Sequence, residues 1–503
     1  MAMAASATSC SSPRKGLPRP PPIGDDPNIN PFADPRPPIT PLRIVFFILM
    51  LPLLILRVLF LLVILIIGYI SVKLALIGVK DPLFRPFPPW RRSLLWPVRI
   101  GVRAIMFFVF GYYWIPTKGK CAPRDVAPII VSNHISFLEP LFVFYAHLPV
   151  IVSAKENAEL PLVGVFLQAL QIIPVDRVSP NSRHDAAAQI KRRAMDNFWP
   201  HVAIFPEGTT TNGKVLISFK TGAFSPGLPI QPMVVKYRNI NPAWVNTGPY
   251  PILLHLMTQP INFMEVEYLD VCVPTRHEMA HPRSYADTVR KSMAQALNIR
   301  FTDHTFLDAK LAMEAVKLQQ PAELTLAEFG VMERLFHLNY DSAKAYLQKF
   351  SSMDSTHSGY LRIDQFLDAL NLPLTPFTQE VFQLFDTADK GYINFREFVA
   401  GMAFLSTQTS FSSAIEVAFR ACDADHDGSL SWAEVQRSLK NIFPEMQTTV
   451  MMKLFNSLDL DHDGVISWDE FSGFLQRNPE YLAVIMAARP DLLYHDSEQG
   501  DHV

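Results

Sequence analysis

The sequence has few of the features that mark a secreted or nucleic-acid-coating protein. Its four cysteines, Cys10, Cys121, Cys272 and Cys422, lie far apart, with no CxxC pair and no nearby histidine partner. That argues against a disulfide framework or a cysteine-based zinc site and fits a reducing compartment. No Asn-x-Ser/Thr sequon occurs, Asn181-Ser182-Arg183 being the nearest failure, which agrees with a chain facing the cytosol. No hydrophobic stretch precedes Leu42, so a cleaved signal peptide is not expected. Charged residues are only 18% of the total while apolar ones are 49%, a balance that excludes wholesale disorder and a nucleic-acid-coating role. At roughly 100–200 residues per domain, 503 residues suggest two to four domains.

The formal net charge of −2 averages two unlike halves. Residues 1–329 hold 33 Lys and Arg against 22 Asp and Glu, whereas residues 330–503 hold 12 against 25. A basic module of net +11 is therefore fused to an acidic one of net −13.

Residues 1–41 contain 11 prolines and no apolar periodicity, the composition of an extended, solvated tail. From Ile44 to Ile70 the chain is almost unbroken in apolar residues, with Pro52 placed to kink it and Arg57 near its middle. At 1.5 Å per residue the run reaches about 40 Å, more than the roughly 30 Å hydrocarbon core of a bilayer. One tilted span and a two-helix hairpin entering a single leaflet both satisfy it. Both flanks are basic, with a modest excess after the run, which leans towards a cytosolic catalytic side. A second stretch, Ile100 to Ile115, is short and carries Arg103. It is expected to lie in the membrane interface with Tyr112, Tyr113 and Trp114 at headgroup depth.

Beyond Val126, short apolar runs (APIIVS, PVIVSA, LQIIPV, VAIFP, PIQPMVV, FMEVEYLDVCV) alternate with helix-like segments such as Ser182–Phe198 and Ser284–Asn298. This rhythm predicts an α/β domain, whose ligand sites gather just beyond strand ends. Three motifs fall there. In Asn133-His134-Ile135-Ser136-Phe137-Leu138-Glu139-Pro140, His134 can accept a proton near neutral pH and Glu139 can hold its other nitrogen. Positions five apart on a straight helix point about 140° apart, so the pairing needs a turn, which Pro140 is expected to enforce by biasing Glu139 away from helical angles. Ile172-Ile173-Pro174-Val175-Asp176-Arg177 places Arg177 at a strand end, where its fork suits a phosphate or an ion pair with Asp176. Phe205-Pro206-Glu207-Gly208-Thr209-Thr210-Thr211-Asn212-Gly213-Lys214 is a glycine-bearing turn rich in donors, suited to phosphate or carbonyl oxygens or serving as a surface turn.

Taken together and in order, these segments and Leu228–Pro232 (LPIQP) resemble the four blocks of the glycerolipid acyltransferase family, FPEGT being the most specific. Ser218–Gly227 (SFKTGAFSPG) resembles its lysophospholipid branch, and the likeness spans roughly residues 85–310. One departure is Glu139, where the family usually has Asp. The resemblance implies that His134, oriented by Glu139, deprotonates a lysophospholipid hydroxyl, which attacks the thioester of acyl-CoA. It implies that Arg177 binds the acceptor phosphate and that Glu207, Gly208 and Thr209 shape the acceptor pocket. Lys214 and Lys220 are candidates for the CoA phosphates or for a solvated surface.

In the acidic module, Asp423, Asp425, Asp427, Ser429, Ser431 and Glu434 occupy the six ligating positions of an EF-hand loop, and Asp459, Asp461, Asp463, Val465, Ser467 and Glu470 do so again. Two weaker copies precede them: Asp386–Glu397 has Ala388 and Lys390 where oxygen ligands belong, and Asp354–Gln365 lacks the closing Glu. Loop starts at 354, 386, 423 and 459 make a four-hand array, with calcium expected in the last two loops and a scaffold role for the first two.

The fold class expected is an α/β acyltransferase domain with N-terminal membrane helices plus an all-α EF-hand domain. The expected division is a disordered tail at 1–41, a membrane-anchoring helix or hairpin at 42–80, the acyltransferase domain at 81–320, the EF-hand array at 330–480 and a C-terminal tail at 481–503. The combination resembles EF-hand-bearing lysophosphatidylcholine and plant lysophosphatidylethanolamine acyltransferases. That implies acyl-CoA as co-substrate, membrane lipids and a lysophospholipid as partners, no nucleic acid, and an endomembrane location (endoplasmic reticulum first, Golgi or endosome next) with cytosolic EF-hands. A calcium-dependent membrane adaptor with an inert acyltransferase fold, or an enzyme acylating lysophosphatidic acid or glycerol 3-phosphate, are the competing readings.

Overall fold

The computed structural model describes residues 30–35, 40–176, 180–245, 249–407, 415–416, 418–420, 422–443 and 446–488. They fall into two compact units that divide between Ala309 and Lys310.

In the first unit the apolar run breaks at Met50 into α1 (Pro41–Leu49) and α2 (Leu51–Leu76). Pro52, in the first turn of α2, has no N–H to continue the preceding ladder, so the helix restarts there. α2 has 26 residues, about 39 Å at 1.5 Å each, and is the helix among the described residues long and apolar enough to cross a membrane. Its burial runs along one face: Arg57, Gly68, Ser71, Val72 and Ala75 are covered, while Ile55, Leu59, Leu62, Ile66 and Ile70 stand exposed. Arg57 meets protein carbonyls, donating to Met257 O (2.8 Å), Gln259 O (2.5 Å) and Pro260 O (3.1 Å). Among the downstream cations, Arg91 caps α2 through Ala75 O and Ile77 O, each at 2.8 Å. Arg99 binds Tyr145 O and Ala146 O at 2.7 and 3.0 Å. These arginines thus serve helix C-terminal carbonyls, which attract cations, as well as adding to the basic flank.

After α3 (Pro89–Ser93), α4 (Trp96–Ala104) and a π-helical turn, Ile105–Val109, follow. The interfacial expectation for Ile100–Ile115 is corrected here. Met106 and Val109 are 0% exposed and Tyr112 1%, because the turn aims them into the domain core, leaving Trp114 and Ile100 outside.

The strands are β1 (Thr117–Lys118), β2 (Ile129–Ser132), β3 (Val150–Ala154), β4 (Ile173–Val175), β5 (Val202–Ile204), β6 (Val215–Leu216), β7 (Ile230–Tyr237), β8 (Met264–Tyr268) and β9 (Arg300–Phe301). Seven of them form a sheet in the order β1-β8-β7-β2-β5-β3-β4, while β6 pairs separately with β9. All these pairings are parallel except β7 with β8. Helices cover both faces: α5 (Leu138–His147), α6 (Lys155–Glu159), α7 (Val163–Ala169), α8 (Pro180–Met195), α9 (Pro249–Thr258), α10 (Arg276–Ala280) and α11 (Pro282–Leu297). Alternation along β2 sends Ile129 and Val131 to one core, beneath α8 and α11, and Ile130 to the other, beneath α5 and α9. Central strands buried on both faces explain why they read as continuous apolar runs.

α12 (Phe306–Lys317) starts before the second unit, and from Lys310 on it meets the helices that follow: Lys310 lies 4.1 Å over the Tyr340 ring and Glu314 meets Lys344 at 3.6 Å. The chain therefore divides at 309/310 rather than after residue 320. After α13 (Phe329–Phe336), the first two hands are α14 (Tyr340–Met353) with α15 (Ile363–Leu370) and α16 (Pro376–Phe385) with α17 (Phe395–Thr407). α18 (Trp432–Ile442) is the exit helix of the third hand, and the fourth is α19 (Thr448–Leu458) with α20 (Trp468–Arg477). Each pair is joined by a short antiparallel ladder, Leu361 opposite Ile393 and Leu430 opposite Ile466. The tail expected from residue 481 begins later, because α21 (Pro479–Ala488) buries Leu482 and Val484 and packs on α16 and α17. Residues 1–29 of the expected N-terminal tail lie outside the described residues, but Pro31 and Phe32 are buried, against the solvated state expected of them.

Candidate functional site

The chemistry-bearing loops leave the C-terminal ends of neighbouring parallel strands, so sheet order alone brings them together. His134 follows β2, and Asn133 before it is stitched to β7, with Nδ2 donating to Val235 O at 3.0 Å and Oδ1 accepting from Val235 N at 2.8 Å. A short turn then delivers Glu139 in the first turn of α5. Pro140 was expected to keep Glu139 out of a helix; instead both are helical, since a first-turn residue needs no N–H. The bend lies earlier, between His134 and Phe137.

Glu139 is 0% exposed, and three donors converge on it. His134 Nδ1 stands 3.2 Å from Oε2, Ser136 N–H donates to Oε2 at 2.8 Å, and the Tyr237 hydroxyl donates to Oε1 at 2.5 Å. Tyr237, at the C-terminal end of β7, had no sequence signal. Burial, then the adjacent Glu139 charge, hold its phenol well above the ordinary value, so it stays a donor. With Nδ1–H on Glu139, His134 keeps the tautomer whose Nε2 carries a lone pair, and Nε2 has no hydrogen-bond partner among the described residues. The imidazole stacks on Phe205, centroids 4.4 Å apart, and its side chain is 17% exposed, open on one side.

The loop after β5 grips the main chain of His134 at both ends. Glu207 Oε1 accepts its N–H at 2.8 Å, and its carbonyl accepts from Thr211 N–H at 2.9 Å. Glu207 is 0% exposed, and burial pushes its carboxyl up to about 8, opposed by the His134 and Ile217 amides. Its side chain is thus turned inward as a brace, and any part it has in an acceptor pocket passes through the loop it holds. Gly208 (φ 70°) makes the turn, and Thr209 is half-buried. Gly213 has φ 71°, in the region that favours glycine, and a Cβ there would sit 2.6 Å from Ile135 Cδ1, which would have to move. Lys214 is exposed at the loop's end, Lys220 N–H donates to Pro206 O at 2.7 Å, and Arg177 lies outside the described residues.

In the second unit, ligand atoms of Asp423, Asp425 and Glu434 lie within 4.8 Å of one another, as do those of Asp459, Asp461 and Asp463. Glu434 and Glu470 each cap the exit helix through Ser431 and Ser467 and reach back to the amides of Ala424 and Leu460. Ser429 donates to Asp427 at 2.9 Å, and Val465 N–H donates to Asp463 at 2.9 Å. Gly428 (φ 84°) and Gly464 (φ 88°) make the loop turns. An all-oxygen donor set, with Asp459 Oδ1 buried and lacking a hydrogen-bond partner among the described residues, fits a hard divalent cation such as calcium.

The Acyltransferase family model matches residues 118–236, and the EF-hand domain pair model matches residues 344–403 and 412–476. The chain is 38% identical over 477 residues to lysophospholipid acyltransferase LPEAT2 of Arabidopsis thaliana, covering 94% of this chain and 87% of that protein. It is 34% identical over 483 residues to lysophosphatidylcholine acyltransferase 2 of Mus musculus, covering 94% and 86%. To lysophosphatidylcholine acyltransferase 1 of Rattus norvegicus it is 31% identical over 429 residues, covering 84% and 78%.

Proposed function

The chain belongs to the glycerolipid acyltransferase family, in the branch of lysophospholipid acyltransferases that carry EF-hands, and from that premise we propose that it acylates the free hydroxyl of a lysophospholipid with acyl-CoA. The observation that carries the reading is His134, anchored through Nδ1 on buried Glu139 with Nε2 open. The hydroxyl proton passes to Nε2 as its oxygen attacks the thioester carbonyl. The C–S bond then breaks, thiolate CoA leaves and the imidazolium returns the proton to solvent or sulfur. Glu139 stabilises the imidazolium while Tyr237 and Ser136 N–H keep its oxygens fixed. Arg177 takes the acceptor phosphate, and Gly208 and Thr209 shape the acceptor pocket on the loop that Glu207 braces. Lysophosphatidylethanolamine or lysophosphatidylcholine is the acceptor, with lysophosphatidic acid the alternative.

The exposed apolar face of α2 lies in lipid of the endoplasmic reticulum, or of Golgi or endosome, with the EF-hands in the cytosol. Burial from Arg57 to Ala75 covers about 27 Å of the helix axis. That favours a helix lying along the unit within one leaflet over a free-standing span. Calcium, held by the loops at 423–434 and 459–470, supplies positive charge to these loops and modulates the enzyme.

The test is transfer of labelled oleoyl from oleoyl-CoA to a panel of lysophospholipids in membranes containing the protein. His134→Ala should lower transfer by roughly 10²–10⁴-fold. Intact transfer in that variant overturns the mechanism, and no transfer by the wild type to any acceptor favours the inert adaptor.

A further inference from the structure

The segment at residues 30–33 carries none of the family's motifs, yet it is seated on the loop that grips His134. Asn212 is the joint. Its main-chain N–H donates to Pro31 O at 2.8 Å, and its side-chain amide donates to Asn30 O at 2.8 Å and Ala33 O at 3.2 Å. In the other direction Asn212 Oδ1 accepts from Lys214 N at 3.1 Å, and its carbonyl accepts from Asn241 Nδ2 at 2.7 Å. Asn30 closes its own turn by accepting from Phe32 N at 2.8 Å. Phe32 is 2% exposed and lies edge-on to His304, centroids 6.4 Å apart, while His304 O accepts Ser218 N at 2.9 Å. The segment therefore touches both the middle of the loop and the chain that follows it.

Next to Asn212, Thr211 N–H holds His134 O, and five residues earlier Glu207 holds His134 N–H. A buried amide that loses its acceptors must rearrange or pay its desolvation. Release of residues 30–33 would therefore free the Thr211–Asn212 end of the loop while the Glu207 end stays braced. The base would keep its Glu139 partner and lose one of two main-chain supports. Displacements of about 1 Å at a reacting group cost on the order of 10²-fold in rate.

We propose that residues 30–33 are a positioning strap for acyl transfer, acting through Asn212 and Thr211 on His134, with Phe32 as its anchor. This rests on the reading of His134 as the general base. None of the strap residues is a catalytic residue, so the expected signature is in turnover rather than in binding.

The experiment uses the full chain in membranes. Phe32→Ala should lower kcat about tenfold while KM for acyl-CoA and for the lysophospholipid moves less than about twofold. Phe32→Leu should recover most of it. In hydrogen exchange, Phe32→Ala should raise exchange at the Thr211 and Asn212 amides while β2 and β7 keep theirs. Should Phe32→Ala unfold, Asn30→Ala, which removes only the turn's closing oxygen, replaces it. Unchanged kcat, or exchange rising across the whole sheet with kcat and KM shifting together, overturns the strap. If the wild type transfers no acyl group, the reading of His134 fails, and exchange at Thr211 still decides the strap.

Discussion

Beside His134, Glu139 and Glu207 are both fully buried, and each is oriented by donors of fixed geometry. In the last two EF-hand loops, Asp425, Asp427, Asp461 and Asp463 stand exposed, and ligand atoms of Asp425 with Asp423 and Glu434, and of Asp461 and Asp463 with Asp459, lie within 4.8 Å of one another. Buried carboxylates are tolerated because protein donors replace water, and they serve to hold one imidazole in one orientation. Crowded exposed ones repel until a cation draws them in, which suits them to be a receptor. The first EF-hand pair stands between these extremes. Thr356 and Ser358 hydroxyls donate to Asp354 Oδ1 at 2.8 and 3.3 Å, and Lys390 Nζ lies 3.7 Å from Glu397 Oε1. There the protein has supplied its own donors and its own cation.

The largest effect should come from the buried side. Glu139→Ala removes the group that fixes the His134 tautomer, and should cost about 10²–10⁴-fold in kcat, or about 3–5 kcal/mol of barrier. Calcium binding by the same variant should be unchanged. A kcat within threefold of wild type, measured by acyl transfer in membranes, would break the comparison, because it would make Glu139 a packing residue.

On the exposed side, Glu434→Gln with Glu470→Gln removes the carboxylate at the closing position of the last two loops. Calcium affinity should fall at least about 10²-fold, near 3 kcal/mol per site, read by titration calorimetry. Acyl transfer compared between chelator and micromolar calcium should then show no difference. If the double variant still binds two ions tightly, the ligands lie elsewhere.

How much of this was legible in the sequence follows from how local each interaction is. The EF-hand ligands lie within twelve residues of one another, and His134 and Glu139 within six, so spacing revealed them. The central strands were legible because burial on both faces leaves uninterrupted apolar runs. Tyr237 was not, lying 98 positions from Glu139 and contributing a hydroxyl like that of any other tyrosine. The partners of Arg57 were not legible, because the carbonyls it meets lie 200 or more positions away. Pro31 and Phe32 were hidden by the proline-rich composition around them, which is governed by the average and not by the residues that dock. The helical position of Glu139 was missed because Pro140 breaks helices in their interior and not in their first turn.

Glu207 offers a pH test of the same contrast. Burial raises its carboxyl from 4.5 to about 8. The folded state therefore binds the proton more tightly than the unfolded one. Its stability is highest below about pH 4.5 and is lost progressively as pH rises to about 8. Between pH 6 and 9 this amounts to about 2–3 kcal/mol. Glu207→Gln, the neutral isostere, should flatten that alkaline decline in denaturant melts while still accepting the hydrogen bond from the His134 N–H. An equal decline in wild type and variant would show that Glu207 is ionised throughout, oriented but not perturbed.

The smallest effect sharpens the middle case. Ala388→Asp with Lys390→Asp exchanges the protein's own cation for two carboxylates. With Asp386, carboxylates would then fill the first, third and fifth loop positions ahead of Gly391 and Glu397. If Lys390 is what closes this loop without metal, its removal should create a third site of weak, millimolar-class affinity, about 10⁻⁴–10⁻³ M. Equilibrium dialysis should count one more ion than the two proposed for the wild type. Calcium at tenfold over that constant would add about 1.4 kcal/mol of stability. The apo variant should be less stable than wild type, because the new carboxylates repel without their ion. Two ions at millimolar calcium would mean that the loop backbone, and not the Lys390 ammonium, sets the first pair apart from the second.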